Sequence, residues 1–184
     1  VMRSITQFLE KRLKVKVNPD KTKVGSPLRL KFLGFSLGVD HNGAYARPAK
    51  QSQQRVKKAL KLLTKRNRGI SLTRMFEEKK KKMRGWLQYY SIGKLTNFIQ
   101  RLDKWLRVRI RQYIWKQWKK FKTKVTNLQK LGLSQRDAYV FASTRKGYWR
   151  TAHSKTLSYS LTNRKLEQLG LMNMSKTLQS IQCD

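Results

Sequence analysis

The spacing of apolar residues changes at Pro48, and this change constrains the fold more than any other feature of the 184-residue chain. Over residues 28–39 apolar and other residues alternate as in a β-strand, with a change of parity at Gly34. We predict two strands that meet in a turn near Asn42-Gly43, with a bulge or bend at Gly34. After Pro48 the apolar spacing is helical. The sequence therefore predicts a mainly α fold with one small β-hairpin.

The helical pattern is divided by residues that begin or end helices. Ser71 has the position of an N-terminal cap, and Gly132 and Ser134 separate a last section, which we also expect to be α-rich. The helices expected before that section cover residues 2–13, 51–65, 72–90 and about 97–124. Trp105, Trp115 and Trp118 have the spacing of core residues. We expect them to be buried, although such side chains can also stack on bases.

Charge decides the class of partner. The chain has 44 Lys and Arg against 9 Asp and Glu, which gives a net charge of +35 and a pI near 11.1. Such self-repulsion opposes a compact state unless a polyanion neutralises it, and nucleic acid is the natural candidate. An anionic membrane surface is the alternative, because basic amphipathic helices also bind lipid. The chain has a single cysteine, Cys183, and it has neither a long apolar run nor a signal peptide. These features favour a cytoplasmic protein without a membrane partner.

Two segments have cations without interleaved acids. Residues 101–124 contain ten Lys and Arg and one acid, Asp103, a pattern typical of a surface that follows a phosphate backbone. The four consecutive lysines of residues 79–82 cover every face of a helix, so we assign them to phosphate contacts as well. In contrast, the sequence shows no catalytic constellation. Glu77 and Glu78 would diverge on a helix, and we expect no metal site or cofactor in this chain.

Several ordered blocks resemble group II intron reverse transcriptase/maturases. The blocks similar to the end of the reverse-transcriptase palm are residues 18–23 and 32–35, those similar to the maturase-specific domain are 65–69, 84–90 and 102–119, and those similar to the tail of bacterial members are 146–152 and 169–171. The resemblance implies the end of the palm over 1–48, a helical thumb or maturase-specific domain over 49–130, and a DNA-binding tail over 131–184.

The resemblance also implies roles for individual residues. Lys21 would lie near the phosphates of the incoming nucleotide and could act as a proton donor. The primer grip would consist of Phe32, Leu33, Gly34 and Phe35. Together with the cation-rich segments, the resemblance assigns RNA binding to Lys65, Arg66, Arg68, Lys79, Lys80, Lys81, Lys82, Arg84, Arg107, Arg109, Arg111, Lys116, Lys119 and Lys120. It assigns DNA binding to Arg145, Lys146, Tyr148, Arg150 and His153.

The function implied is binding of group II intron RNA to assist splicing. In the intact protein, the same region would grip template and primer for RNA-directed DNA synthesis during intron mobility. The Asp motif that holds Mg²⁺ in the polymerase is expected upstream of Val1, in an amino-terminal half with which this chain would act, so we expect the chain alone to be inactive. The pattern is most similar to bacterial members that lack an endonuclease, which are cytoplasmic and are associated with the nucleoid when on DNA. A structural ribonucleoprotein component and a related reverse transcriptase outside introns remain alternatives.

Overall fold

The computed structural model describes residues 2–183, and most of them are helical. The elements are α1 (Met2–Arg12), β1 (Lys31–Phe32), β2 (Phe35–Asp40), β3 (Gly43–Pro48), α2 (Lys50–Leu63), α3 (Leu72–Tyr90), α4 (Thr96–Gln117), α5 (Phe121–Lys130), α6 (Gln135–Ala142), α7 (Tyr148–Ala152), α8 (Lys155–Ser160), α9 (Asn163–Gln168) and α10 (Met174–Cys183). The prediction of a mainly α fold with a small β element is confirmed.

The β element is an antiparallel sheet in the order β1-β2-β3. Strands β2 and β3 form the predicted hairpin, with Asp40 opposite Gly43 across a two-residue loop. The bulge or bend predicted at Gly34 is wrong. Leu33 and Gly34 both have positive φ, 48° and 80°, and they form a tight turn that reverses β1 onto β2. The parity change in the sequence thus marks a second chain reversal.

The long helix predicted to reach Lys124 is interrupted. Helix α4 ends at Gln117, and residues 118–120 redirect the chain into α5. In a straight helix Val125 would lie about 16 Å beyond Ile114, because each residue advances the axis by about 1.5 Å. The break instead brings Val125 and Leu128 into the same core as Ile114.

One hydrophobic core unites the helices on both sides of Gly132. Leu106 and Ile110 of α4 are buried in the same cluster as Leu157 and Leu166 of the last section. The predicted burial of the tryptophans is confirmed for Trp115, which is fully buried, while Trp105 and Trp118 pack against the core from its edge. The helices after Gly132 therefore complete the core of the helices before it.

Candidate nucleic-acid interface

Lys79 lies inside the fold, and only 1% of its surface is exposed. Its ammonium donates a hydrogen bond of 3.0 Å to the carbonyl oxygen of Met172, and burial lowers the pKa of the ammonium to about 8. The phosphate contact predicted for Lys79 is therefore wrong. Met75 and Met83, four residues to either side on the same face of α3, are also buried. Their spacing is the sequence signal that would have placed Lys79 inside.

Arg107 and Arg111 also point into the fold and bind partners there, and RNA contacts by these two arginines remain predictions. The Arg107 side chain is 15% exposed and forms ion pairs with Asp103 and, at 3.8 Å, with Glu167. The Arg111 guanidinium donates hydrogen bonds to the carbonyl oxygen of Leu161 at 3.0 Å and to Asn163. Burial is the larger cause that lowers the pKa of Arg111, and the charge of Arg107 lowers it further. Both arginines join α4 to the last section of the chain.

Arg68 and Arg109 are half-buried and bind the carboxyl end of α2. Arg109 donates to the hydroxyl of Thr64 at 2.7 Å and to the carbonyl oxygens of Lys61 and Thr64. Arg68 donates to the carbonyl oxygen of Leu63 and pairs with Glu78 at 2.8 Å. Cations at this end of a helix satisfy carbonyl groups that have no partner within the helix. RNA contacts by these two arginines remain predictions.

Three segments that are distant in sequence meet around the Tyr148 ring. The guanidinium carbon of Arg66 lies 4.7 Å from the ring centroid, and the Lys116 Nζ lies 5.2 Å from it. The carbonyl oxygen of Ile70 accepts hydrogen bonds from α4, which hold the segment after Arg66 against that helix. We call Arg66, Lys116 and Tyr148 the Tyr148 cation cluster. It joins residues that the sequence assigned to RNA with one that it assigned to DNA.

The two cations of this cluster have no acidic partner among residues 2–183. The ion pairs found there use Arg68, Arg74, Lys94 and Arg107, and they leave Arg66 and Lys116 without a carboxylate within 4.0 Å. Two uncompensated positive charges beside one ring attract an anion. The cluster is therefore electrostatically suited to a phosphate group.

Other predicted cations remain exposed and available. Lys80, Lys81, Lys82 and Arg84 lie on the outer side of α3, Lys119 and Lys120 lie at the break before α5, and Lys65 precedes Arg66. In the last section, Arg145, Lys146, Arg150 and His153 are exposed near Tyr148 in the sequence. Trp149, which the sequence analysis did not assign, is partly exposed and contacts His153 with a ring-centroid distance of 4.7 Å.

The predicted primer-grip residues come together at the turn between β1 and β2. Phe32 and Leu33 are 77% and 67% exposed, whereas Phe35 packs on Tyr90 with ring centroids 4.9 Å apart. The carbonyl oxygen of Leu33 accepts a hydrogen bond of 2.8 Å from the Tyr89 hydroxyl. The turn thus presents apolar side chains outward while its backbone is held by α3.

The backbone around Gly34 admits no larger residue. Its carbonyl oxygen accepts hydrogen bonds from the Ala49 N–H at 2.8 Å and from the Ser52 hydroxyl at 3.0 Å. A Cβ atom at Gly34 would lie 2.5 Å from the Tyr90 hydroxyl oxygen. The absence of a side chain is therefore what permits the hairpin to pack against α2 and α3.

Lys21 lies apart from the hairpin in an exposed turn. The side-chain oxygen of Asn18 accepts hydrogen bonds from the backbone N–H groups of Asp20, at 3.0 Å, and Lys21, at 3.2 Å. Such a turn fixes the backbone and leaves the lysine side chain in solvent. Across residues 2–183, no three His, Cys, Asp or Glu side chains are grouped to hold a metal ion.

Comparison with known protein families finds a match within the helical part of the chain. The family model for the group II intron, maturase-specific domain matches residues 53–132. The match covers 80 of the 184 residues, and this segment is therefore similar to the maturase-specific domain. For this segment, the resemblance to the maturase-specific domain that the sequence predicted is confirmed. No match was found among curated proteins. In the region that the structure describes, none of the helices is both long enough and apolar enough to cross a membrane.

Proposed function

We propose that this maturase region binds intron RNA through the exposed cations of its maturase-specific domain and assists splicing. The observation that supports this most directly is the Tyr148 cation cluster, where Arg66 and Lys116 lie without a carboxylate partner among the described residues. Folded RNA presents phosphates and 2′-hydroxyls on its surface and is recognised largely by shape. The protein would stabilise the RNA conformation in which the intron itself performs the splicing chemistry.

For the intact protein, we propose that the hairpin and the helices grip template and primer during RNA-directed DNA synthesis. Leu33 and Phe32 would support the primer end, because they are exposed on a turn whose backbone is fixed. Lys21 would contact the phosphates of the incoming nucleotide. In this proposal the Mg²⁺ ions belong to the intact polymerase, and no cofactor is assigned to the residues of this chain.

We assign DNA contacts to the exposed cations of the last section, Arg145, Lys146 and Arg150, together with His153. Lysine and arginine side chains on a surface bind phosphates without reading sequence, so these contacts would add affinity rather than specificity.

The RNA-binding proposal is tested by salt-dependent binding. Wild-type protein is compared with Arg66→Ala/Lys119→Ala/Lys120→Ala on a folded group II intron RNA, an unrelated structured RNA of equal length and a duplex DNA. We expect the wild type to prefer the intron at moderate salt. The triple variant should lower the slope of log affinity against log salt by about two to three, since each lost phosphate contact reduces it by about one.

A variant that removes the same charge elsewhere is the matched control. Lys11→Ala/Arg12→Ala/Lys14→Ala removes three exposed cations at and just after the end of α1. The control should keep the slope of the wild type. Equal losses in both variants, together with equal binding to all three nucleic acids, would show that net charge alone accounts for binding and would overturn the proposal.

A further inference from the structure

We propose that the Tyr148 cation cluster is one composite phosphate site, built from the maturase-specific domain and the last section of the chain, for which RNA and DNA backbones compete. The inference rests on the proposed function, because it concerns the same nucleic acids. It differs from two separate sites, one for RNA on the thumb and one for DNA on the tail, which the sequence alone suggests.

The geometry supports a single site. Arg66 precedes α3, Lys116 lies near the end of α4 and Tyr148 begins α7, yet both cations lie within 5.2 Å of the same ring centroid. The two charges are therefore at most about 10 Å apart, about one Debye length at 0.1 M salt, so a phosphate group beside one cation also feels the other. Occupation of the cluster by an RNA phosphate would leave no second pair of cations there for DNA.

Tyr148 acts in this site as a positioning residue. Both cations lie over its ring, so the ring attracts them and helps to hold them near each other. The ring is half-buried, which fixes its own place relative to α4. The hydroxyl group is not needed for this role.

The two parts of the site are held in a fixed relation by buried polar contacts. Arg111 donates to the carbonyl oxygen of Leu161, and Lys79 donates to that of Met172. In the opposite direction, the Lys165 ammonium donates to the carbonyl oxygen of Leu131 at 2.6 Å. These bonds and the shared core hold the last section against the preceding helices, and so they keep Tyr148 beside Arg66 and Lys116.

The experiment measures both nucleic acids on the same variants. Arg66→Ala lies in the maturase-specific domain and Tyr148→Ala in the last section. We expect each variant to weaken binding to a folded group II intron RNA and to a duplex DNA alike, on the order of tenfold at moderate salt. Tyr148→Phe keeps the ring and should bind both as the wild type does. The duplex should also displace the bound RNA competitively.

Lys57→Ala is the matched control. The Lys57 ammonium also lies over an aromatic ring, 5.3 Å from the centroid of Trp105, but both residues belong to the maturase-specific domain. Its removal should leave duplex binding unchanged. Because Tyr148→Ala can lower stability, Lys116→Gln provides a second variant of the cluster that keeps the ring, with the same expected loss for both ligands.

Two results would overturn the composite site. One is a loss of RNA affinity alone in Arg66→Ala and of DNA affinity alone in Tyr148→Ala. The other is a ternary complex in which RNA and duplex bind together with the affinities that each has separately. Neither result concerns the preference of the wild type for the intron. The proposed function is therefore tested separately, and it fails if the wild type does not distinguish the intron from the unrelated RNA.

Discussion

Replacing Lys79 with methionine should remove a pH dependence of stability that its buried ammonium creates. The pKa of Lys79 is about 8 in the folded protein, against an ordinary value of 10.5, because burial outweighs the attraction of Asp103. Between these two values the unfolded chain binds more protons than the folded one. The free energy of unfolding therefore rises with pH across this window.

The size of the effect follows from the two pKa values. Their difference corresponds to about 3 kcal/mol over the whole window, at about 1.4 kcal/mol for each pKa unit. Only part of this total change falls between about pH 7.5 and about pH 9.5, where we expect the free energy of unfolding to rise by about 2 kcal/mol. Below about pH 7 Lys79 is charged in both states, so its contribution does not change there.

The assay is urea unfolding of the wild type and Lys79→Met at both pH values. For each protein the change in the free energy of unfolding between the two pH values is determined, and the two changes are compared. The comparison cancels the cost of leaving the Met172 carbonyl without its donor, which is about 1 to 3 kcal/mol at either pH. Lys80→Met removes an exposed lysine from the same helix and should keep the pH dependence of the wild type. An equal gain in Lys79→Met and wild type would refute the argument that the buried ammonium causes it.

The remaining predictions concern the buried ion pair and the hairpin turn. Asp103→Ala leaves the Arg107 guanidinium buried without its main partner and should lower the free energy of unfolding by about 3 kcal/mol. Glu78→Ala breaks more exposed pairs and should lower it clearly less, and urea unfolding measures both variants. Equal losses would contradict the difference in burial. Gly34→Ala should lower the free energy of unfolding by at least about 2 kcal/mol, because it combines positive φ with a clash against Tyr90. The same change in a Tyr90→Phe background should cost less, and thermal melts that show no such rescue would rule out the clash.

Local sequence signals predicted the features that depend on neighbouring residues. The hydroxyl of Ser71 accepts a hydrogen bond of 3.2 Å from the Arg74 N–H, so the predicted cap is confirmed. Alternation and the Asn42-Gly43 pair placed the hairpin correctly. These features need only a few consecutive residues to form, and the sequence contains all of them.

Features that depend on distant partners could not be predicted in the same way. The partners of Arg111 are Leu161 and Asn163, about fifty residues further along the chain, and nothing in the pattern of α4 indicates them. An arginine that binds carbonyl groups inside a protein and one that binds phosphate have the same sequence surroundings. Lys79 differs, because Met75 and Met83, at helical spacing on either side of it, indicate that this position is buried. The charges of Lys80, Lys81 and Lys82, which directly follow Lys79, mask that spacing.

The turn between β1 and β2 links the sheet to two helices through adjacent carbonyl groups. The Leu33 oxygen binds Tyr89 of α3, and the Gly34 oxygen binds the amino end of α2 through Ala49 and Ser52. The small sheet, which would be marginal by itself, therefore shares its cooperativity with the helical core. Heat or denaturant should therefore unfold the hairpin together with α2 and α3. The exposed turn at Leu33 and Gly34 should stay ordered for as long as these two helices are folded.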